Sequence, residues 1–397
     1  MRSFRMSKIL LLLIPILLLV VALETGSTQD ASSYSAAGVD ALFSPVETIY
    51  EYVKAYFYEP ERIDDQEALY SAMKGVVEHL DDPYSEFFDP DEKAMFDEYL
   101  EGEFSGVGIE ITLVDGILTV ITPLVGTPAE AAGVQPGDRI TRIDGESTEG
   151  ITLSEASYRI RGETGTEVVL TILHEDGEIV DIPIVRDTIV IDPVDTDLLA
   201  EGTIGYIRLL RFEERDSTTE IDEAIAELDL DSLAGLILDL RNNGGGYMPA
   251  AIEIAGRFVD DGIVLQTSDR LSGDRRYWSR GNRVANVPLV VLINRGTASA
   301  AEILAGAIRD NNMGVLVGEP SFGKGVYQQL IDFEDGSALK ITIGEYYTPS
   351  GAVVDGVGLT PDIEVGDDED AIDVAIDWIN EHVGLTMPIE LDTAASP

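Results

Sequence analysis

The chain has 397 residues, 45% of them hydrophobic and 25% charged, with 38 Gly and 17 Pro; this is the composition of two or three globular domains rather than of a disordered chain. Asp and Glu number 74 against 26 Lys and Arg, a formal charge of −48, and such a field repels nucleic-acid phosphates, which argues against a nucleic-acid partner. The absence of cysteine removes disulfides, thiolate metal sites and a cysteine nucleophile together, and His79, His174 and His382 lie too far apart in sequence to suggest a multi-histidine metal site.

In chain order, Arg2, Arg5 and Lys8 precede an apolar run from Ile9 to Leu23 broken only by Pro15, the pattern of an export signal. The run is shorter than the roughly 20 residues of a membrane span, which favours a cleaved signal. No small-x-small cleavage site follows Leu23 directly, so residues 1–25 are read as a signal peptide or an N-terminal membrane anchor, with the working part outside the cytoplasm. Residues 26–39 read as a linker. Over 40–100 a helical region is predicted, with Val46, Ile49, Tyr50 and Val53, then Leu69, Met73, Val76, Val77 and Leu80, at helical spacing. Asp82-Pro83 breaks that pattern.

From Gly102 the period shortens. Gly108–Val114 and Ile117–Ile121 flank Asp115-Gly116, and Val168–Leu173 and Glu178–Val185 flank Asp176-Gly177, two predicted hairpins. With a short helix at Leu153–Arg161 they suggest a compact domain over 101–187. Beyond it, apolar strands (Ile204–Leu210, Leu236–Leu240, Leu289–Ile293) alternate with helix-like segments (Ser217–Leu228, Met248–Phe258, Ser299–Arg309), the pattern of a layered α/β core over 188–366. In the closing segment, 367–397, Ile372, Ala375, Ile376 and Ile379 form a stripe suited to a core or dimer contact.

Three segments could carry chemistry. Gly318 to Gly325 matches a phosphate-binding loop until its last position, where Gly325 replaces the Ser or Thr that holds magnesium. Pro288 to Leu304 reads as strand, small-residue turn and helix, placing Ser299 where unpaired backbone N–H groups converge; it is equally a helix N-cap. No histidine lies near it in sequence. A lysine can replace histidine as base if burial leaves it neutral, and of six lysines Lys324 stands between two glycines in an apolar neighbourhood. Leu236 to Gly246 runs from a strand into three glycines, which allow close backbone approach to a ligand or simply a tight turn.

Taken with Asp82-Pro-Tyr-Ser85 and Gly356-Val-Gly-Leu-Thr-Pro-Asp362, these segments resemble the C-terminal processing peptidases, or tail-specific proteases, of peptidase family S41, which use a Ser/Lys dyad. The resemblance implies Ser299 as nucleophile and Lys324 as general base, with Gln328, one helical turn on, positioning the lysine. It further implies an oxyanion hole from the N–H groups of Gly245 and Ala300, and no metal or organic cofactor. Gly244 stands where members commonly have Pro, and Ala301 where they have Ser. Gly106-Val-Gly-Ile109, Gly126-Thr-Pro-Ala129, Ala132-Gly133, Gly137-Asp138 and Ile143-Asp-Gly145 resemble a PDZ domain. By that resemblance Gly106, Val107, Gly108 and Ile109 form the loop that binds a peptide's terminal carboxylate.

The implied fold is α+β and multidomain: an N-terminal helical segment, a PDZ-like β-rich domain, an α/β serine protease core of the ClpP/crotonase-like layered type, and a C-terminal helix. The implied role is an exported, periplasmic or envelope endopeptidase acting on proteins with free C-terminal tails. Its implied partners are a second copy, joined through the terminal helices, and an activator or adaptor protein. Rival readings are a non-catalytic PDZ scaffold that holds exported tails, and an esterase using the same dyad.

Overall fold

The computed structural model describes residues 36–383, apart from 102, 115, 125, 136, 152, 175–176, 191–192, 214–216, 282, 284–286 and 367–368, together with the strand Leu19–Val21. The remainder of the predicted signal, most of the linker and the tail from 384 lie outside the described residues. Among the described residues no helix is long and apolar enough to cross a membrane.

The N-terminal region holds the helices Ala36–Tyr56, Asp65–Glu78 and Pro90–Glu101. The first begins inside the segment read as linker, so positions 36–39 are helical. Asp64 caps the second by accepting from the N–H groups of Gln66 (2.8 Å) and Glu67 (2.9 Å). Within the predicted helical region, beyond the break at Asp82-Pro83, Glu86–Phe88 is a strand that pairs antiparallel with Ala338–Tyr347. Phe87 and Phe88 are both buried, and adjacent side chains reach opposite sides only in extended chain. The first helix leaves Leu42, Ile49 and Tyr56 exposed.

A short antiparallel pair, Glu103–Gly106 with Asp187–Val190, forms the neck of the next domain. Within it the strands Ile109–Val114, Ile117–Pro123, Arg139–Ile143, Glu167–Leu173 and Ile179–Val185 make one antiparallel sheet. Strand Glu167–Leu173 shows why the sequence reads so clearly here: Val168, Leu170 and Ile172 face inward, alternating with partly or fully exposed neighbours. Their partners include Leu118, Val120, Ile140, Ile143, Ala156 and Ile160, the last two from helix Leu153–Ile160.

The remaining domain is built on a six-stranded sheet in the order Val194–Leu199, Ile204–Leu209, Gly235–Asp239, Leu289–Ile293, Val315–Gly318, Ile363–Glu364. All neighbours are parallel except the first pair. Helices Ser217–Leu228, Met248–Ala255 and Ala300–Asp310 contribute to the cluster on one face, and Ala371–Glu381 to that on the other. Strands covered on both faces are apolar throughout, as Leu289–Ile293 is. The closing stripe is core rather than an open surface: Ala371, Ala375 and Ile379 are buried, and a Cβ on Gly235 would lie 2.5 Å from Ile379. Glycine there permits the helix to approach the sheet.

A second sheet lies beside the first, in the order Gly246–Tyr247, Leu19–Val21, Val326–Asp332, Ala338–Tyr347, Ile263–Asp269, Gly273–Trp278, with Glu86–Phe88 also on Ala338–Tyr347. Leu19–Val21 runs parallel to both its neighbours, Val20 opposite Tyr247 and Gln328.

Candidate active site

The site is assembled from the loops that follow two adjacent strands of the six-stranded sheet and from the start of the second sheet. After Leu289–Ile293 the chain turns at Asn294–Ala298. That turn is bonded to the glycine loop after Gly235–Asp239: Asn242 N–H donates to Asn294 Oδ1 (2.9 Å), Thr297 Oγ1 to the Leu240 carbonyl (2.8 Å), and Ala298 N–H to the Asn243 carbonyl (2.9 Å). Ser299 then caps helix Ala300–Asp310 with φ 57° and ψ −118°. A non-glycine residue is strained there, costing about 1–3 kcal/mol, and such strain recurs at the sharp strand-to-helix turn that presents a nucleophile. Its hydroxyl is buried and has no hydrogen-bond partner among the described residues.

Gly245 supports the same turn. At φ 105° a Cβ on it would stand 2.8 Å from Ser299 Cβ and 3.0 Å from the Ala300 nitrogen, so only glycine brings this backbone against the serine. Its N–H donates to Asn243 Oδ1 (2.9 Å).

Lys324 is fully buried. The Gly-Lys-Gly sequence explains how: a Cβ on Gly323 would lie 2.7 Å from the Gly358 nitrogen, and one on Gly325 2.2 Å from that of Asp355. Burial lowers the amine from its ordinary value to about 7, Lys340 pushes in the same direction, and Asp82 and Glu302 oppose both. A base of that strength exists in both forms near neutral pH. The strand Val326–Asp332, not a helix, follows, so the phosphate-loop reading fails: a phosphate-binding loop runs into a helix whose N-terminus takes the anion, and Gly318–Gly325 runs into a strand. Gln328 likewise sits on a strand rather than one helical turn from Lys324, because this segment pairs with Ala338–Tyr347. Its Nε2 donates to Thr342 Oγ1 (3.0 Å), and its buried Oε1 has no partner among the described residues.

Glu302, which the sequence reading passed over, joins serine to lysine. One carboxylate oxygen accepts from the N–H groups of Ser299 (2.8 Å) and Lys324 (3.0 Å), the other from Gly323 N–H (2.7 Å) and Ser321 Oγ (2.6 Å). Burial raises this carboxyl to about 7 despite those four donors. Ser299-x-x-Glu302 is the capping-box pattern, a signal available in the sequence, although only the glutamate half of the box is made. The Tyr346 hydroxyl completes the link, donating to the Lys324 carbonyl and lying 3.2 Å from that of Ser299.

A family model for peptidase family S41 matches residues 203–365, the span that holds Gly245, Ser299, Glu302, Lys324 and Gln328. The carboxy-terminal processing protease CtpA of Bacillus subtilis (strain 168) is 34% identical over 341 residues, covering 86% of this chain and 72% of that protein. The chain belongs to peptidase family S41. A carboxyl-terminal-processing protease of Picosynechococcus sp. is 40% identical over 304 residues, 75% of this chain and 73% of its own. Among solved structures, the photosystem II D1 C-terminal processing protease matches with 33% identity and a TM-score of 0.55, over 83% of this chain and 89% of that one. This S41 chain is therefore a serine peptidase, and a PDZ family model matches its residues 119–173.

In this S41 peptidase the loop expected to take a carboxylate joins the neck to the PDZ sheet: Gly106 ends one strand and Ile109 begins the next. Val107 is buried, and its carbonyl accepts from Ala129 N–H (2.8 Å). Gly108 has φ 76°, and Thr127 packs so closely that a Cβ there would meet its side chain at 2.3 Å.

Proposed function

We propose that this peptidase is an exported endopeptidase that cuts protein substrates selected by their C-terminal tails, with Ser299 as nucleophile and Lys324 as base. The observation that carries the reading is the pairing of a strained, buried serine with a buried lysine lowered to about 7, both tied through their backbone N–H groups to one carboxylate. The neutral Lys324 amine takes the proton of Ser299 Oγ as that oxygen bonds to the substrate carbonyl carbon. Charge developing on the carbonyl oxygen is met by the N–H groups of Gly245 and Ala300, the former leaving Asn243 to do so. Collapse breaks the C–N bond, and the proton on Lys324 passes to the departing amine. Water, deprotonated by Lys324, then releases the acyl group and regenerates Ser299.

The parallel slot between Gly246–Tyr247 and Val326–Asp332 supports binding of an extended peptide beside Gly245, since Leu19–Val21 lies there as a strand. Capture of the tail carboxylate falls to Gly106–Ile109. Export rests on the basic and apolar N-terminus, and the exposed apolar residues of helix Ala36–Tyr56 suit a homodimer.

The test is mass spectrometry of an unfolded protein with an apolar free C-terminus, incubated with the chain from residue 36 onward. Fragments are expected from this protein and none from Ser299→Ala or Lys324→Ala. Cleavage by either variant refutes the dyad; binding of the tail without cleavage by any of the three favours the scaffold reading.

A further inference from the structure

The motif Asp82-Pro-Tyr-Ser85 lies in the N-terminal helical region, remote in sequence from the dyad, and the chemistry above gives it no task. The fold places it on the general base. The Tyr84 ring centroid is 4.5 Å from Lys324 Nζ. The turn is fastened on the catalytic side: Ser85 Oγ accepts from Thr342 N–H (3.0 Å) and donates to Asp82 Oδ2 (2.5 Å), whose partner oxygen accepts from Tyr84 N–H (3.2 Å). Thr342 is also the residue to which Gln328 donates. Immediately after the turn, Glu86 pairs with Lys340 Nζ (2.9 Å), and the Lys340 amine lies 4.8 Å from the Phe88 ring centroid.

We infer that Tyr84 is a positioning residue for the peptidase reaction, covering the Lys324 amine and keeping water from it, so that the N-terminal region completes the active site. An aromatic face has two opposed effects on a lysine. It attracts the ammonium form electrostatically, by about 0.5–2 kcal/mol, and it withholds the water that would solvate that form far better. Burial is the dominant influence on Lys324, so the second effect wins. Among the described residues the charged and titratable groups facing the amine include Asp82 and Tyr84 from the turn, Lys340 from strand Ala338–Tyr347, and Glu302 from helix Ala300–Asp310. Asp355 acts on Tyr84 from the loop beside Gly325. Of these, Tyr84 and Asp82 come from outside the layered core, and removing the Tyr84 ring admits solvent while leaving each of the other groups in place.

The inference rests on Lys324 as base, and the test separates the two. The pH profile of kcat/KM is measured for the wild type, Tyr84→Phe, Tyr84→Ala, Ser85→Ala and Lys324→Met, with thermal unfolding recorded for each. The wild type and Tyr84→Phe are expected to share an acid limb near pH 7, where Lys324 loses its proton. In Tyr84→Ala the limb moves up by about one pH unit or more, so activity at pH 7 falls about fivefold or more and recovers by pH 9. Ser85→Ala, which loosens the turn without touching the ring, shifts the limb the same way by less, and it decides the matter if Tyr84→Ala does not fold. A limb that stays in place in Tyr84→Ala, or in Ser85→Ala when that variant decides, overturns the inference; so does a loss of activity equal at every pH, as does a Tyr84→Phe variant that behaves like Tyr84→Ala. If Lys324→Met retains activity, the dyad itself fails, whatever the tyrosine does.

Discussion

Replacing Lys324 by methionine is expected to stabilise this protein while ending its activity. Lys324 is 0% exposed, and burial lowers its amine from 10.5 to about 7. The unfolded chain therefore holds the proton up to about pH 10.5 and the folded chain only to about pH 7. Between those values the unfolded state binds more protons, so stability rises with pH. Below pH 7 both states carry the charge, and the folded state bears the whole cost of burying it. At about 1.4 kcal/mol per pH unit over the interval from 7 to 10.5 this comes to roughly 5 kcal/mol. Methionine has similar length and no charge to bury. Urea unfolding at constant salt, from pH 6 to pH 10.5, should show Lys324→Met several kcal/mol more stable than the wild type at pH 6, with the gap closing as pH approaches 10.5. A gap independent of pH, or a variant less stable at pH 6, refutes the reasoning.

Ser299→Gly relieves the positive φ of the nucleophile and is expected to raise stability by about 1–2 kcal/mol while abolishing cleavage; calorimetry beside a peptide assay checks both. Gly245→Ala places a methyl 2.8 Å from Ser299 Cβ, so kcat should fall about 100-fold or more, as when an oxyanion donor is lost, with circular dichroism unchanged. Gly108→Ala, blocked by Thr127 at 2.3 Å, should weaken binding of a free-tailed peptide in calorimetry and leave binding of the same peptide amidated, already weak, nearly unaltered.

Much of the core is legible in sequence because its parallel strands are continuous apolar runs and its helices carry one buried stripe; Ile221, Ala224, Ile225 and Leu228 fall on helical spacing within Ser217–Leu228. The second sheet is less legible. Strand Ala338–Tyr347 mixes Lys340, Thr342 and Glu345 with its apolar residues, and Gly273–Trp278 is largely exposed; neither is a continuous apolar run, and the pairing of Ala338–Tyr347 with Glu86–Phe88 and Ile263–Asp269 joins segments distant in sequence. For the same reason Gln328 reads as helical until its partner strand is known. Ser299 and Lys324 stand out locally, the first by its strand-turn-helix setting and the second by its flanking glycines. What binds them does not. Glu302 carries a short-range signature that is also that of an ordinary helix cap, and Tyr84 meets Lys324 only through the pairing of Glu86–Phe88 with Ala338–Tyr347.

The most direct test of the central claim, a serine activated by a neutral buried lysine, is the pH dependence of modification by a fluorophosphonate, followed by intact mass and located by peptide mapping. One adduct is expected, on Ser299, forming at a rate that rises through an apparent pKa near 7 and absent from Lys324→Met. An adduct on another residue, or a rate that rises only near the pH of an ordinary lysine, contradicts it.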